Sequence, residues 1–459
     1  MTSAGLPRAP MGPSPWGGDV HEITRSPTQY LALSGGGFRA TAHHMGALMA
    51  HLRHQQQHKI MTICGVSGGA VAAAGLLLWW QRWSRRPLTG IEALRDFVAP
   101  LVELMRANVR RSLVGPLFVP FGGASTLETQ FRRRLCGDVE LQQLDVLPPL
   151  FVFPATDLSS GLPLYFTTLG FTLRPHRLWE SQVASRTRAR SASDFPLAKA
   201  VAASAAFPPV VRPIRLELER EDADEYLRAR GVATQAATGK RVWDNVGRGI
   251  TVGHPLRLHV TDGGVADNLG LRFLLQLFSP YGPVRRPDSE LSIRSAFVYD
   301  AGLIGSYNPG RFVWRGKLLG RALDIAGSAK EGHLIDLAKQ LLGDLNGQFT
   351  IARGHPELAR DLGVDGDVLY AAANVRTDLD CFTDTEIYVL AYIGYRLGLL
   401  SLSHQGLTSG ADDDAESDFR EITRGLLEPL PKESWGRHLG ASGSRIRVLR
   451  GLRRLGRNA

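Results

Sequence analysis

"YLALSGGGFRATAHHMGALM", residues 30–49, stops an apolar run with three glycines and resumes as a helix. Residues 29–34 read as a buried strand and Gly35-Gly36-Gly37 as a loop. From Phe38 to about Gln55, apolar Phe38, Ala42, Met45, Met49 and Leu52 recur at spacings of three and four, the mark of one helix face. Adjacent glycines lose backbone entropy on folding, so a bare backbone there serves a purpose. Two uses are common: cradling a phosphate, or aiming N–H groups at a developing negative charge.

The same order follows at once. "KIMTIC", residues 59–64, is a short strand, "GVSGG" a loop, and "AVAAAGLLLWW", residues 70–80, a buried helix. Eleven apolar residues are too few to cross a bilayer, which needs about 20. Strand–loop–helix twice over predicts an α/β sandwich with a mostly parallel central sheet. Further on, helices are expected near 91–111 and 126–135, two strands around a turn in "LFVFPATDLSSGLPLYFTTL", and an Ala-rich helix stopped by Pro208-Pro209. "LRLHVT", residues 256–261, and "SAFVYDAG" are strands. Thr383 with Glu386 forms a capping box ahead of a helix in the C-terminal region.

"GVSGG" fits G-x-S-x-G, with Ser67 between Gly65 and Gly69. With 50 glycines in 459 residues, roughly 0.4 such matches arise by chance, so the pattern alone decides little. Its setting adds weight: a strand leads in and a small-residue helix leads out, as a turn that exposes a serine Oγ requires. A serine nucleophile needs a base. No histidine downstream of Ser67 lies in a recognisable catalytic loop, whereas Asp262 ends an alternating strand and precedes Gly263-Gly264. A D-G pair after a strand can open a hairpin. Here "DNLGLRFLLQLF" repeats Leu271, Leu274, Leu275 and Phe278 at helical spacing, which favours a strand-end carboxylate in an open loop.

These segments together resemble the patatin-like phospholipase family over about residues 28–305. The resemblance rests on Gly35-Gly36-Gly37-Phe38-Arg39, Gly65-Val66-Ser67-Gly68-Gly69 and Asp262-Gly263-Gly264, with "ATDLSSG" and "AASAAFPPV" between them in the family's order. The family loop usually reads D-G-G-G-x-R-G. Ser34 and Ala40 depart from it, and "SGGGFRA" is closer to the cytosolic phospholipase A branch. The resemblance implies a three-layer α/β/α sandwich and a Ser67–Asp262 dyad without histidine. It also implies an oxyanion hole from Gly35, Gly36, Gly37 and Gly68, and a role for Arg39 in binding substrate phosphate or shaping the loop. The implied reaction is cleavage of phospholipid esters through an acyl-enzyme, with no metal and no cofactor. The alternatives are a Ser–His–Asp esterase or thioesterase on soluble substrates, using His333, His355 or His404, and a phosphate- or lipid-binding scaffold without turnover.

The expected organisation is a leader over 1–27, a catalytic domain over 28–305 with a surface insertion at 216–253, a mainly helical extension over 306–440 packed on the core, and a tail over 441–459. Net charge is +10, but residues 442–459 hold six arginines and no acids, leaving +4 for the rest. The tail suits anionic headgroups at a membrane surface. No fold motif for nucleic acid accompanies it. Three widely spaced cysteines and no apolar signal segment suggest a cytoplasmic protein, peripheral at membranes. His44, His51, His54 and His58, in a polar stretch, read as a solvated helix face and not as metal ligands, and Asp157 as a turn former.

Overall fold

The structure is a computed structural model. It describes residues 28–54, 56–83, 90–109, 124–141, 144, 149–172, 195–208, 211–218, 223, 226–227, 241–243, 249–251, 256–277, 293–302, 315–344, 346–377, 379–408 and 414–442. The leader, the Arg-rich tail beyond Ser442 and most of the expected insertion lie outside the described residues.

The strands are β1 (Gln29–Leu33), β2 (Ile60–Gly65), β3 (Leu150–Asp157), β4 (Pro163–Thr167), β5 (Gly170–Thr172), β6 (Ile214–Leu218), β7 (Arg241–Trp243), β8 (Gly249–Thr251), β9 (Leu256–Asp262), β10 (Ser295–Asp300) and β11 (Gln348–Arg353). The main sheet runs β11-β10-β1-β2-β3-β4-β5, with β9 paired to β3 and β6 paired to β9. Pairings from β11 through β3 are parallel, and β4, β5, β9 and β6 join antiparallel. The helices are α1 (Gly37–Arg53), α2 (Gly68–Trp83), α3 (Ile91–Arg106), α4 (Ala124–Phe131), α5 (Leu197–Ser204) and the single turn α6 (Gly264–Asp267). They continue with α7 (Leu271–Leu277), α8 (Arg315–Asp344), α9 (Gly366–Ala373), α10 (Asp384–His404), α11 (Ala415–Thr423) and α12 (Trp435–Ser442).

Strand alternation builds two cores. Leu31, Leu33, Phe151, Phe153, Phe297 and Tyr299 face α1, α2, α3 and α5, whereas Tyr30, Ala32, Leu150, Val152, Ala296 and Val298 face α7 and α8. The result is the three-layer α/β/α sandwich expected. β11 carries the sheet past residue 305. β6 brings 214–218 into it, its Ile214, Leu216 and Leu218 pointing inward, so the stretch expected as an insertion from 216 begins inside the sheet. Tyr226 and Leu227 are buried as well.

The solvated histidine face does not hold. His44 and His51 are fully buried on the sheet side of α1, toward Ser34 and the Phe297 and Tyr299 rings, whereas His54 and His58, beyond the helix, are half-buried. α10 lies along the other side of α1. Small residues allow that approach: a Cβ on Gly46 would run into the Ala391 carbonyl, and one on Gly394 into the His43 carbonyl. Each histidine meets a neutral partner, His44 Nε2 the Ser34 carbonyl at 2.9 Å and His51 Nε2 the Tyr299 hydroxyl at 2.7 Å. Burial pushes both imidazoles down to about 3, so both are uncharged at neutral pH. The capping box on α10 is present: Thr383 Oγ1 accepts from Glu386 N–H at 3.2 Å and Glu386 Oε2 from Thr383 N–H at 2.7 Å.

Gly394→Val should therefore force α1 and α10 apart and lower stability by about 1–3 kcal/mol, the usual range for overpacking. A urea midpoint checks it. Gly440→Ala, inside α12 with open space for the added Cβ, should not lower that midpoint and should raise it slightly.

Candidate active site

Both helices that start beside the sheet start on glycine. β2 ends at Gly65, Val66 N–H donates to the Leu33 carbonyl at 2.9 Å, and the chain turns sharply into α2. Ser67 sits on that turn with φ +52°, a left-handed conformation that is uncommon outside glycine. No side chain fits beside it at Gly69, where a Cβ would meet the Leu33 carbonyl, or at Gly68, where it would meet the Gly37 carbonyl. The N-termini of α1 and α2 are thus in contact. Thr41 Oγ1 ties them further by donating to the Gly68 carbonyl at 2.9 Å.

Asp262 reaches the same place through the sheet. Along β3, Val152 faces Cys64 of β2 and Ala155 faces Asp262 of β9. Ser67 is three residues beyond Cys64, and Ala155 is three beyond Val152, so serine and aspartate stand at one level, roughly 10 Å past the end of the β2–β3 pairing at ~3.3 Å per residue. β2 vacates the edge of β3 and β9 fills it. After Asp262 the chain makes α6 and then α7, so the helical reading holds and the hairpin does not.

The Asp262 carboxylate is buried. Its Oδ1 accepts from Gly264 N–H at 2.7 Å, and its Oδ2 has no hydrogen-bond partner of good geometry. Burial pushes its pKa up to about 7, with the Ser67 hydroxyl and the Gly264 N–H pulling the other way. Among the described residues no histidine bonds to Asp262. His355 lies beside Glu357, and His438 bonds to Thr383 Oγ1. Asp157 is occupied, accepting from Ser159 N–H at 2.9 Å, from the Ser160 hydroxyl and from the Tyr226 hydroxyl at 2.7 Å, which makes it the turn former expected.

The glycine loop divides its donors. Gly35 N–H is taken by the Asn268 carbonyl at 3.0 Å, so it is not free for an oxyanion. Among the described residues the N–H groups of Gly36, Gly37 and Gly68 donate to no acceptor. Gly36 (φ +137°) and Gly37 (φ +57°) take backbone conformations closed to most side chains. Gly35 packs against the Asn268 side chain and the Ser67 Cβ. Arg39 does not face an open site. It is buried, donates to the Ala373 carbonyl at 2.8 Å and the Val375 carbonyl at 3.3 Å, and lies over Gly36. Burial lowers its pKa to about 10, so it stays charged, pointing at the C-terminal end of α9 where carbonyls favour a cation.

Three contributors are not singled out in the sequence, although two lie in segments that carry the resemblance: Asn268, which brackets Gly35; Ser204 of "AASAAFPPV", whose Oγ accepts from Ser67 N–H at 3.0 Å; and Thr156 of "ATDLSSG", which donates to the Asp262 carbonyl at 2.8 Å. Among the described residues no group of His, Cys, Asp or Glu could hold a metal ion, and no helix is long and apolar enough to cross a membrane.

A nucleophile-type elbow beside a buried carboxylate and a glycine loop defines a class of α/β hydrolytic fold, and the sequence comparison agrees. A family model described as Patatin-like phospholipase matches residues 31–275, more than half of the chain, and the protein belongs to that family. Comparison with curated proteins gives no match. Among solved structures the chain is similar to human GIVD cytosolic phospholipase A2, at 11% identity and TM-score 0.40, over 86% of this chain and 63% of that one. The same human enzyme in complex with methyl gamma-linolenyl fluorophosphonate gives 13% identity and TM-score 0.38, over 87% and 60%. The chain thus spans about three-fifths of the length of these structures.

The raised Asp262 pKa sets the sign of a stability effect. The unfolded carboxyl titrates near 3.9, so between there and about 7 the folded state holds the proton more tightly. Stability then falls as pH rises through that window. Asp262→Asn removes the buried charge and should be more stable than wild type above pH 7, by at most roughly 4 kcal/mol, with no such gain at pH 4. Urea unfolding of both proteins at the two pH values checks this.

Proposed function

We propose that this protein is a lipid acyl hydrolase that cleaves carboxylic esters of phospholipids through Ser67 and Asp262. The observation that carries the reading is the Asp262 carboxylate: one oxygen anchored by Gly264 N–H, the other buried without a well-aligned partner, beside the hydroxyl of a serine on a left-handed turn. An ordinary aspartate is a weak base. One held near 7 by burial is matched to proton transfer at neutral pH.

In the proposed reaction the Ser67 hydroxyl gives its proton to Asp262 Oδ2 as Oγ bonds to the ester carbonyl carbon. The carbonyl oxygen becomes an oxyanion that accepts from the Gly36, Gly37 and Gly68 N–H groups, at the joined N-termini of α1 and α2. One such donor is typically worth about 3–4 kcal/mol in the transition state. The tetrahedral intermediate collapses, the ester oxygen leaves as the alcohol with the proton from Asp262, and an acyl group stays on Ser67. Water then attacks the acyl-enzyme, giving its proton to Asp262. The fatty acid leaves and the proton returns to Ser67 Oγ.

Arg39 enters this scheme as a support of the loop, since it is buried and its Nη1 already donates to the Ala373 and Val375 carbonyls. A phospholipid surface is the proposed partner. Phe207 and Val265 support it: both large apolar side chains are about half exposed, at 57% and 46%, one residue after Ala206 and three after Asp262. A cytoplasmic, membrane-peripheral location remains part of the proposal.

Wild type should release fatty acid from mixed anionic phospholipid vesicles, read by mass spectrometry, and folded Ser67→Ala and Asp262→Asn should lose that activity. Full activity in Asp262→Asn would sink the dyad. The base must be ionised to act, so kcat/KM should rise with pH and level off above about 7. A profile flat from pH 5 to 9 would remove Asp262 as the base.

A further inference from the structure

Four donors from the two reactive segments end on residues 204–206, where α5 stops. Ser67 N–H donates to Ser204 Oγ at 3.0 Å and Gly263 N–H to the Ser204 carbonyl at 3.1 Å. Asp262 N–H donates to the Ala206 carbonyl at 3.1 Å, and the Thr261 hydroxyl reaches the same oxygen at 2.7 Å. Ser204 has no exposed surface, and α5 is otherwise alanine, leucine and valine apart from Lys199. A hydroxyl there is not a solubility feature. It answers a donor that the elbow cannot satisfy by itself.

Val66 N–H goes to Leu33, and Gly69 N–H goes to Val66 at 2.8 Å. Ser67, with φ +52°, has its own N–H turned away from both. Without Ser204 Oγ that N–H would be buried and unpaired, which proteins avoid. The elbow would relax toward an ordinary helical start and carry the Ser67 hydroxyl away from Asp262.

We propose that Ser204 is a positioning residue for the acyl transfer: its hydroxyl holds the Ser67 elbow while the carbonyls of 204 and 206 hold the Asp262 strand, so this short segment sets the spacing of the pair. The role rests on the Ser67–Asp262 reading above. It goes beyond that reading by assigning a residue that need touch neither substrate nor reacting atoms.

The test compares wild type, Ser67→Ala, Ser204→Ala and Ser204→Cys. Cysteine fills nearly the same space as serine, but its sulfur is a weak acceptor. If Ser204→Ala fails to fold, the cysteine variant decides. The readouts are the second-order rate of labelling by a fluorophosphonate probe across pH, the hydrogen exchange of the Ser67 amide, and the thermal unfolding midpoint.

Folded Ser204→Cys should label roughly tenfold or more slowly, and its Ser67 amide should exchange faster. The acidic limb of its pH profile should move upward, because the Ser67 hydroxyl that lowers the Asp262 pKa no longer faces it. A packing role alone would leave that limb in place. Labelling of Ser204→Cys at the wild-type rate, with the same pH midpoint and amide protection, overturns the positioning role and leaves the Ser67 nucleophile intact. No more labelling of wild type than of Ser67→Ala overturns the nucleophile itself, and the positioning role with it.

Discussion

A buried carboxylate with one oxygen left to the neighbouring Ser67 hydroxyl is the constraint around which this fold is arranged. An ionised group there is disfavoured by desolvation, and the ordinary remedy of surrounding it with donors would quench it as a base. Asp262 is instead fixed through its backbone. Its N–H goes to Ala206, its carbonyl accepts from Thr156, and the next N–H goes to Ser204. Among the described residues, Gly264 N–H and the Ser67 hydroxyl reach the carboxylate itself. Position is supplied by the main chain, and reactivity is left to Oδ2.

That arrangement depends on the sheet being mixed. Had β9 run parallel to β3 along that edge, its N-terminal end, and not Asp262, would lie beside the elbow. The space opens only because β2 stops pairing at Cys64, and an antiparallel β9 comes from the opposite direction to end within it. The parallel part then points the N-termini of α1 and α2 at the same spot. Two features of different origin, a crossover pattern and a strand insertion, meet at Ser67.

What the sequence discloses follows from how local each feature is. The Ser67 turn, the helix after Asp262 and the Thr383 cap depend on residues within a few positions, and their patterns announce them. His51 is misread because its partner, Tyr299, lies 248 residues further on. Nothing in "HLRHQQQHK" reports the sheet beneath it. Gly35 is read as a free donor because Asn268 is equally remote. The segment "AASAAFPPV" stands out, but the part Ser204 plays in it does not, since its partner Ser67 lies 137 residues earlier. β11 escapes too, because a short strand at a sheet edge, half exposed along its length, carries little apolar periodicity.

The three glycines and Ser34 then each have a separate task. Gly35 lets Asn268 and Ser67 close in, Gly36 turns the chain beneath the Arg39 guanidinium, and Gly37 opens α1 against Gly68. Ser34, where the related loops have aspartate, accepts from Ala301 N–H at 2.9 Å, and its carbonyl meets His44. The next residue back, Asp300, is itself buried and paired with Arg353, with Arg39 as a second cation of the neighbourhood. An aspartate at 34 would bring a second buried carboxylate into the neighbourhood that Asp300 shares with Arg353 and Arg39. Serine makes the same kind of hydrogen bond without the charge. Ser34 thus ties the glycine loop to the segment after β10 without adding to the charges of Asp300, Arg353 and Arg39 behind it.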